Sequence, residues 1–346
     1  MLILMRVGAT EDHIQAVVAV IRQHGHEPLV LPGEDRRAVG IPDALSPDER
    51  INLETILGSL EFVSKVTQTS RPYKLASLEF HPERTQITLK GVQLGGGGPF
   101  VIMGGPCSVE SYEQFAAAGE IVKQSGAQVL RGGAFKPRSS PYAFQGLAEE
   151  GLKIIKQVGD ETGLITISEV MSPDLVGLVG EYVDILQIGA RSMQNFPLLI
   201  EAGKSGKPVF LKRGPSATID EFLLAAEYVL AQGNPNVLLC ERGVAPLDRS
   251  YTRNTLDLAA VPVLKEHSHL PVVVDPSHGT GVARYVRSMA RAAMVAGADG
   301  VMVEMHPNPK VALSDGAQAL TPEQFLRLTA ELQELERFLA ALESRP

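Results

Sequence analysis

The sequence predicts an α/β protein: a (β/α)8 barrel preceded by a small ferredoxin-like βαββαβ domain. Three observations predict it. From residue 100 onward one theme recurs eight times: a short run rich in Val, Ile and Leu, then a Gly, polar or charged cluster, then a longer amphipathic stretch. The runs are nearly unbroken rather than alternating, as strands buried on both faces of a parallel sheet must be. Eight such units in about 245 residues match the typical size of the barrel.

The 346-residue chain is expected to divide into a first domain over 1–67, a linker and β-hairpin over 68–99, and the barrel over 100–346. At the start, LILMRV (2–7) reads as a strand and Glu11–His24 as a helix closed by Gly25. PLVLP (28–32) and RAVGI (37–41) read as strands, Pro47–Leu57 as a helix, and FVSKV (62–66) as a fourth strand. That order is the ferredoxin-like sandwich. ITLKGVQL (87–94) alternates around Lys90-Gly91 and predicts a hairpin that could plug the bottom of the barrel. The run Gly95–Gly98 then frees the chain to enter the first barrel strand.

The barrel runs are FVIMGGP (100–106), QVLRGG (128–133), LITISEV (164–170), VDILQIGA (183–190), PVFLKRG (208–214), VLLCERG (237–243), PVVVDPSHG (271–279) and GVMVEMHP (300–307). Between them Glu113–Gln124, Leu147–Thr162, Asp220–Ala231, Arg284–Ala296 and Glu323–Leu342 carry apolar residues at i, i+3, i+4, i+7. Thr321-Pro322-Glu323 opens the last with an N-cap and a proline at the first helical position. The stretch after VLLCERG has the least regular helical pattern. No G-x-G-x-x-G follows the first strand, which argues against an open doubly wound sheet.

Composition narrows the function. With 44% hydrophobic and 21% charged residues the chain has ample core for a globular protein. Lys+Arg 32 against Asp+Glu 40 gives −8, which disfavours nucleic acid and anionic membrane surfaces as partners. No apolar run approaches the ~18 residues that cross a bilayer. The first residues, MLILMRVGAT, lack a basic n-region and a cleavage site. Two cysteines make no disulfide framework. A soluble, cytoplasmic protein is expected.

A (β/α)8 barrel keeps its chemistry at the C-terminal ends of its strands. A lone Lys or Arg there is usually a solvated loop charge, but here almost every strand ends in a reactive or charged residue. One group is cationic on an otherwise anionic chain: Arg131, Lys136, Arg138, Arg191, Lys212 and Arg242. Around one mouth these repel one another unless an anionic ligand offsets them, and Arg suits bidentate contact with phosphate or carboxylate. A substrate with at least two anionic groups is expected. In Lys212-Arg213 a regular strand points only one side chain inward, so the other is structural. The second group is Cys107, His278, Glu304 and Asp315, a set suited to a divalent transition metal rather than to a Ca or Mg cage. Cys107 alone reads as a buried small hydrophobe, and His278 alone equally well as a hydrogen-bonded loop residue; only the barrel brings the four together. Cys240, inside VLLC, reads as a core cysteine.

The motifs GPCSVES (105–111), LRGGAFKPRSSPYAFQG (130–146), QIGARSMQN (187–195), LKRG (211–214), CERG (240–243), DPSHGTG (275–281), VEMHPNP (303–309) and ALSDGAQAL (312–320) come in one order along the chain. Together they closely resemble the 3-deoxy-D-arabino-heptulosonate 7-phosphate (DAHP) synthases, in the branch with an N-terminal ferredoxin-like regulatory domain, over essentially the whole sequence. The resemblance implies condensation of phosphoenolpyruvate with erythrose 4-phosphate and release of phosphate, the first step of the shikimate pathway. It places Arg131, Lys136 and Lys212 at the phosphoenolpyruvate carboxylate, Arg191 and Arg242 at its phosphate, and Glu169 nearby. Arg138 and Ser139 would hold the erythrose 4-phosphate phosphate, and Asp275 would position that sugar. Cys107, His278, Glu304 and Asp315 match the metal ligands, for Mn, Fe, Co, Zn or Cd, with Mn favoured. Lys136 is the expected proton-transfer residue. No organic cofactor is implied.

Two rivals are weighed. 3-Deoxy-D-manno-octulosonate 8-phosphate synthases use arabinose 5-phosphate and typically read K-A-N-R-S-S, whereas this chain has Lys136-Pro137-Arg138-Ser139-Ser140. The common DAHP synthase form is K-P-R-T, so Ser139 keeps the hydroxyl and loses a methyl. A catalytically inactive regulator would have lost a ligand or an arginine, yet every motif position is filled. Pro28, Pro32, Gly33 and the strand-like runs exclude an all-helical chorismate mutase at the N-terminus. The resemblance implies a homotetramer or dimer, with either an aromatic amino acid effector between first domains or an oligomerisation role alone. Leu29-Val30-Leu31-Pro32 stands where effector-binding relatives tend to carry His and Ser.

Overall fold

The computed structural model describes residues 1–31, 37–67, 71–136 and 142–343. By compactness the chain divides into Met1–Glu83 and Arg84–Pro346. No helix among the described residues is long and apolar enough to cross a membrane.

The first unit runs β1 (Leu2–Met5), α1 (Glu11–Gln23), β2 (Leu29–Leu31), β3 (Ala38–Gly40), α2 (Pro47–Gly58) and β4 (Val63–Thr67). Its strands form one antiparallel sheet in the order β2-β3-β1-β4. Helix α1 buries Ile14, Val17, Val18 and Ile21, one stripe at helical spacing, against Ile3, Met5, Val39 and Ile41. Helix α2 starts at a capping box: the Glu49 N–H donates to Ser46 Oγ (3.3 Å) and the Glu49 carboxylate accepts the Ser46 N–H (2.8 Å). Leu2, Leu31, Ala38 and Phe80 form a separate small cluster. A Cβ at Gly40 would lie 2.5 Å from the Phe80 ring, so the absent side chain permits that packing.

The second unit opens with a hairpin, β5 (Gln86–Leu89) and β6 (Val92–Gly95), turning through Lys90 and Gly91 at positive φ. Then come β7 (Val101–Gly105), α3 (Tyr112–Gln124), β8 (Val129–Arg131), α4 (Ala148–Thr162), β9 (Ile165–Val170), α5 (Val176–Tyr182), β10 (Ile185–Ile188) and α6 (Phe196–Lys204). The second half holds β11 (Val209–Lys212), α7 (Ile219–Leu230), β12 (Val237–Glu241), α8 (Ala260–His267), β13 (Val272–Val274), α9 (Pro276–Thr280), α10 (Ala283–Val295), β14 (Gly300–Glu304) and α11 (Pro322–Glu343). Strands β7 to β14 are parallel and close into a barrel, Gly300 pairing with Val101 and Glu304 with Gly105.

The hairpin seals the end of the barrel where the strands begin. Ile87 and Leu94 are buried against Val101, Met103, Val129, Ile185, Phe210 and Met302 inside it. Lys90 Nζ donates to the Leu164 carbonyl (2.8 Å) and pairs with Asp184 (2.9 Å). The Thr85 N–H donates to the His269 carbonyl (2.9 Å). These partners precede β9, β10 and β13. Cys240 belongs to this core, and burial pushes its thiol pKa up.

Two segments differ from the sequence pattern. Residues 242–259, where helical periodicity was least regular, contain no helix; the Val244–Thr255 bridge organises them, and only the short α8 follows. The run PVVVDPSHG ceases to be strand at Val274. Asp275 accepts the His278 N–H (2.9 Å) as an N-cap and Pro276 takes the first helical position, so a short helix starts there instead.

Candidate active site

At the opposite end of the barrel, where the strands finish, lies a cleft of about 270 Å³. Arg131, Lys136, Arg191, Lys212 and Arg242 line it, with Glu169, His278 and Asp315. Cys107, Asp275 and Glu304 lie buried against these residues. Arg138 and Ser139 fall outside the described residues.

Each cation is held differently. Arg131, the last residue of β8, is buried and donates through Nη1 to Glu304 Oε1 (2.6 Å) and the Pro106 carbonyl (3.0 Å). Lys212 ends β11, and its Nζ donates to Asp275 Oδ2 (2.6 Å). Its neighbour Arg213 turns to Glu241 and Asp257, each at 2.9 Å, and to the Ala217 carbonyl. The alternation of a strand thus gives the cleft one cation and the loop framework the other. Arg242 is buried just beyond β12, and burial lowers its pKa. Lys136 Nζ donates to the Cys107 carbonyl (2.9 Å) and lies 3.0 Å from its Sγ. Glu169 accepts from Gln187 Nε2 (3.3 Å). A Cβ at Gly189 would stand 2.0 Å from Glu169 Oε1, so glycine is what admits this carboxylate.

The soft and acidic donors converge on one side of the cleft. Ligand atoms of Cys107, Glu304 and Asp315 all lie within 4.8 Å of one another. His278 stands beside them, its Nε2 3.4 Å from Glu304 Oε1 and its Nδ1 2.7 Å from Asp275 Oδ2. A thiol, two carboxylates and an imidazole backed by a carboxylate fit a divalent transition metal, with Asp275 as the outer partner that orients the ring. Burial, then Glu304, pushes the Cys107 thiol up to about 11. Burial also opposes ionisation of Glu304, yet His278 and Arg131 outweigh it and hold that carboxyl below its usual range. At Asp275, His278 and Lys212 outweigh burial in the same way and hold it well below. For Asp315 the hydrogen bond from Cys107, with His278 and Arg253, prevails over burial.

Several polar residues of this end were not singled out from the sequence. Arg253 lines the cleft, 3.6 Å from Asp315 Oδ1, and donates to Gln318 Oε1 (3.3 Å). Gln318 Nε2 in turn donates to Glu304 Oε2 (2.7 Å). Asn254 donates to the His278 carbonyl (2.8 Å), and Ser314 Oγ is 3.0 Å from Cys107 Sγ. All lie in loops rather than at strand ends, where no periodicity points to them. Arg253 alone was findable, as one more cation beyond a barrel strand.

Residues 82–341 match the model of the DAHP synthetase I family. The chain belongs to this family. It is 44% identical over 335 residues to phospho-2-dehydro-3-deoxyheptonate aldolase of Thermotoga maritima, covering 97% of each chain. A 2-dehydro-3-deoxyphosphooctonate aldolase of Syntrophobacter fumaroxidans is 33% identical over 258 residues, covering 69% of this chain and 88% of that one. The crystal structure of the Thermotoga maritima DAHP synthase superposes with a TM-score of 0.77, covering 98% of this chain and 97% of that one at 44% identity. A truncated form of that synthase superposes with a TM-score of 0.71, covering 77% of this chain and 97% of that one at 46% identity. The closed barrel is thus the fold shared with this solved DAHP synthase.

Proposed function

We propose that this barrel condenses phosphoenolpyruvate with D-erythrose 4-phosphate to give DAHP and inorganic phosphate, the entry to the shikimate pathway and aromatic amino acid biosynthesis. The observation that carries the choice of substrate is likeness to a DAHP synthase over 97% of both chains, against 69% of this chain for the octulosonate relative. The cationic cleft beside a Cys–Glu–Asp donor set supports the reaction class.

Arg131, Lys136 and Lys212 take the phosphoenolpyruvate carboxylate, and Arg191 and Arg242 its phosphate, with Glu169 beside them. Arg138 and Ser139 take the erythrose 4-phosphate phosphate, and Asp275, buried behind Lys212 and His278, acts on that sugar only through them. Cys107, His278, Glu304 and Asp315 are the catalytic metal's ligands, and the ion, Mn in preference to Fe, Co, Zn or Cd, supplies Lewis-acid polarisation of the aldehyde when bound. The two substrates are held so that C3 of phosphoenolpyruvate faces the aldehyde carbon, which converts a bimolecular encounter into a positioned one. A C–C bond forms, and water adds at the electron-poor C2. The C2–O bond to phosphate then breaks, and one water is consumed for each phosphate released. Lys136 protonates the aldehyde oxygen as it becomes a hydroxyl, a reading supported by its Nζ lying against Cys107 at the donor cluster. The preorganised cations stabilise the anionic groups throughout.

The sheet order β2-β3-β1-β4 supports reading the first unit as a ferredoxin-like regulatory or oligomerisation domain of a cytoplasmic homotetramer or dimer. An aromatic amino acid is its effector class; a flat activity curve with Tyr, Phe and Trp leaves oligomerisation alone.

The test is phosphate release from phosphoenolpyruvate by chelator-stripped protein, with and without Mn²⁺, offered erythrose 4-phosphate and arabinose 5-phosphate in parallel. Metal-dependent release with the four-carbon sugar is expected. Preference for arabinose 5-phosphate moves the assignment to the octulosonate branch, and release with neither sugar favours an inactive regulator.

A further inference from the structure

Three donor-bearing segments of the metal cluster meet at one carboxylate that bonds none of the donor atoms. Cys107 lies just beyond β7, Glu304 ends β14, and Asp315 sits on the loop that follows. Glu110, with its side chain 11% exposed, reaches all three segments. Its Oε1 accepts the Leu313 N–H at 2.8 Å and the Ser108 hydroxyl at 3.4 Å. Its Oε2 faces His306 Nε2 at 3.5 Å. His306 Nδ1 accepts the Asn308 N–H (2.9 Å), so the neutral ring carries its proton on Nε2. That buried Nε2 has no hydrogen-bond partner among the described residues, which leaves Glu110 as the acceptor it faces.

We infer that Glu110 is a positioning residue whose carboxylate fixes the spacing of Cys107, Glu304 and Asp315 for metal. The inference rests on the donor-set reading above. Glu110 itself lies three residues after Cys107, and its contacts Ser108, His306 and Leu313 fall one after Cys107, two after Glu304 and two before Asp315. At most ~3.6 Å of chain per residue separates anchor from donor, so a displaced anchor moves a donor by a distance that matters. Metal–ligand distances tolerate only about 0.2 Å. A second observation agrees: Asp315 has a φ of 51°, in the left-handed region that is uncommon for non-glycine residues though Asp enters it more readily than most, and local contacts help to hold it there. The Leu313 bond is one such constraint. Another holds the Cys107 side, where the Glu110 N–H donates to Gln114 Oε1 (3.2 Å) and Gln114 Nε2 to the Ser108 carbonyl (3.4 Å).

The test titrates Co²⁺ into the full chain as wild type, Glu110→Gln and Glu110→Ala, reading affinity and the thiolate-to-cobalt charge-transfer band that reports the Cys107 bond. Thermal unfolding of each metal-free protein is recorded alongside. Glu110→Ala is expected to weaken Co²⁺ binding about 10–100-fold, the usual effect of losing an outer partner, with a shifted or diminished band at saturation. Glu110→Gln keeps an acceptor for Leu313 but turns an amide N–H toward His306, and is expected to fall between. If the alanine variant does not fold, weakened binding and an altered band in Glu110→Gln at unchanged unfolding temperature carry the inference. Wild-type affinity and band in the folded variants overturn it. A wild type that binds no Co²⁺ overturns the donor-set reading, and this inference with it.

Discussion

The two ends of one barrel are built from the same eight strands and differ in almost every physical respect. Where the strands begin, Ile87 and Leu94 of the hairpin fill the interior against Val101, Val129 and Met302. Where they end, the interior is charged: Arg131 on Glu304, Lys212 on Asp275, and a thiol between carboxylates. Burying charges costs free energy that pairing only partly offsets, whereas burying apolar surface contributes about 25 cal/mol per Å². Stability therefore resides at the sealed end, and the charged end is tolerated because the sealed end supports it.

Asp275→Asn breaks the comparison most severely, since it leaves Lys212 without its counter-charge and His278 without the carboxylate that orients its ring. Removing one partner of a buried pair costs about 3–5 kcal/mol, and losing an outer partner of a ligand costs about 10–100-fold in activity or metal affinity. Both losses should be visible, in urea unfolding and in kcat/KM. A variant that kept either at the wild-type value would show that Asp275 does not tie Lys212 to His278.

Leu94→Ala should do only half of that. Truncating a buried leucine costs about 2–5 kcal/mol, with no reason for turnover to change below the unfolding transition. A fall in kcat of tenfold or more in the folded variant would mean that the sealed end shapes the mouth.

Proton accounting sharpens the contrast. With its pKa near 11, the Cys107 thiol is protonated at neutral pH, and binding as thiolate must release that proton. Metal affinity should rise with pH up to that value. Calorimetry in two buffers of different ionisation enthalpy should find about one proton released per metal at pH 8, and none would exclude thiolate ligation. The carboxyls behave oppositely. Asp275, Glu304 and Asp315 have folded pKa values below their unfolded ones. The stability they contribute is therefore present above about pH 4, and is lost as pH falls through the folded values. The smallest effect belongs to the outside of the barrel. The exposed pair Lys156–Asp160 on α4 should be worth under about 0.5 kcal/mol, so Asp160→Asn should barely move the melting temperature.

The strands of the barrel were legible because a parallel sheet buried on both faces leaves unbroken runs such as VFLK and VLLCE, whose ends mark the mouth. The hairpin was legible from alternation around Lys90-Gly91. Convergence of Cys107, Glu304 and Asp315 was legible only through the barrel, since more than 200 residues separate the first from the last. Sequence periodicity is silent about loops, which is why Arg253, Asn254, Gln318 and the clasp at Glu110 emerged only from contacts. Capping chemistry overrode a strand reading at Asp275-Pro276, where one aspartate both starts a helix and orients His278.

The central claim is that substrate anions are held where the strands end and stability where they begin. Calorimetric titration of phosphoenolpyruvate into wild type, Arg242→Ala and Leu94→Ala, at a temperature where all three are folded, tests it most directly. Loss of a charged hydrogen-bonding partner is worth about 1.5–3 kcal/mol, so Arg242→Ala should bind at least about tenfold more weakly. Leu94→Ala should bind like wild type. Equal weakening in both variants, or none in Arg242→Ala, would contradict the division of labour between the two ends.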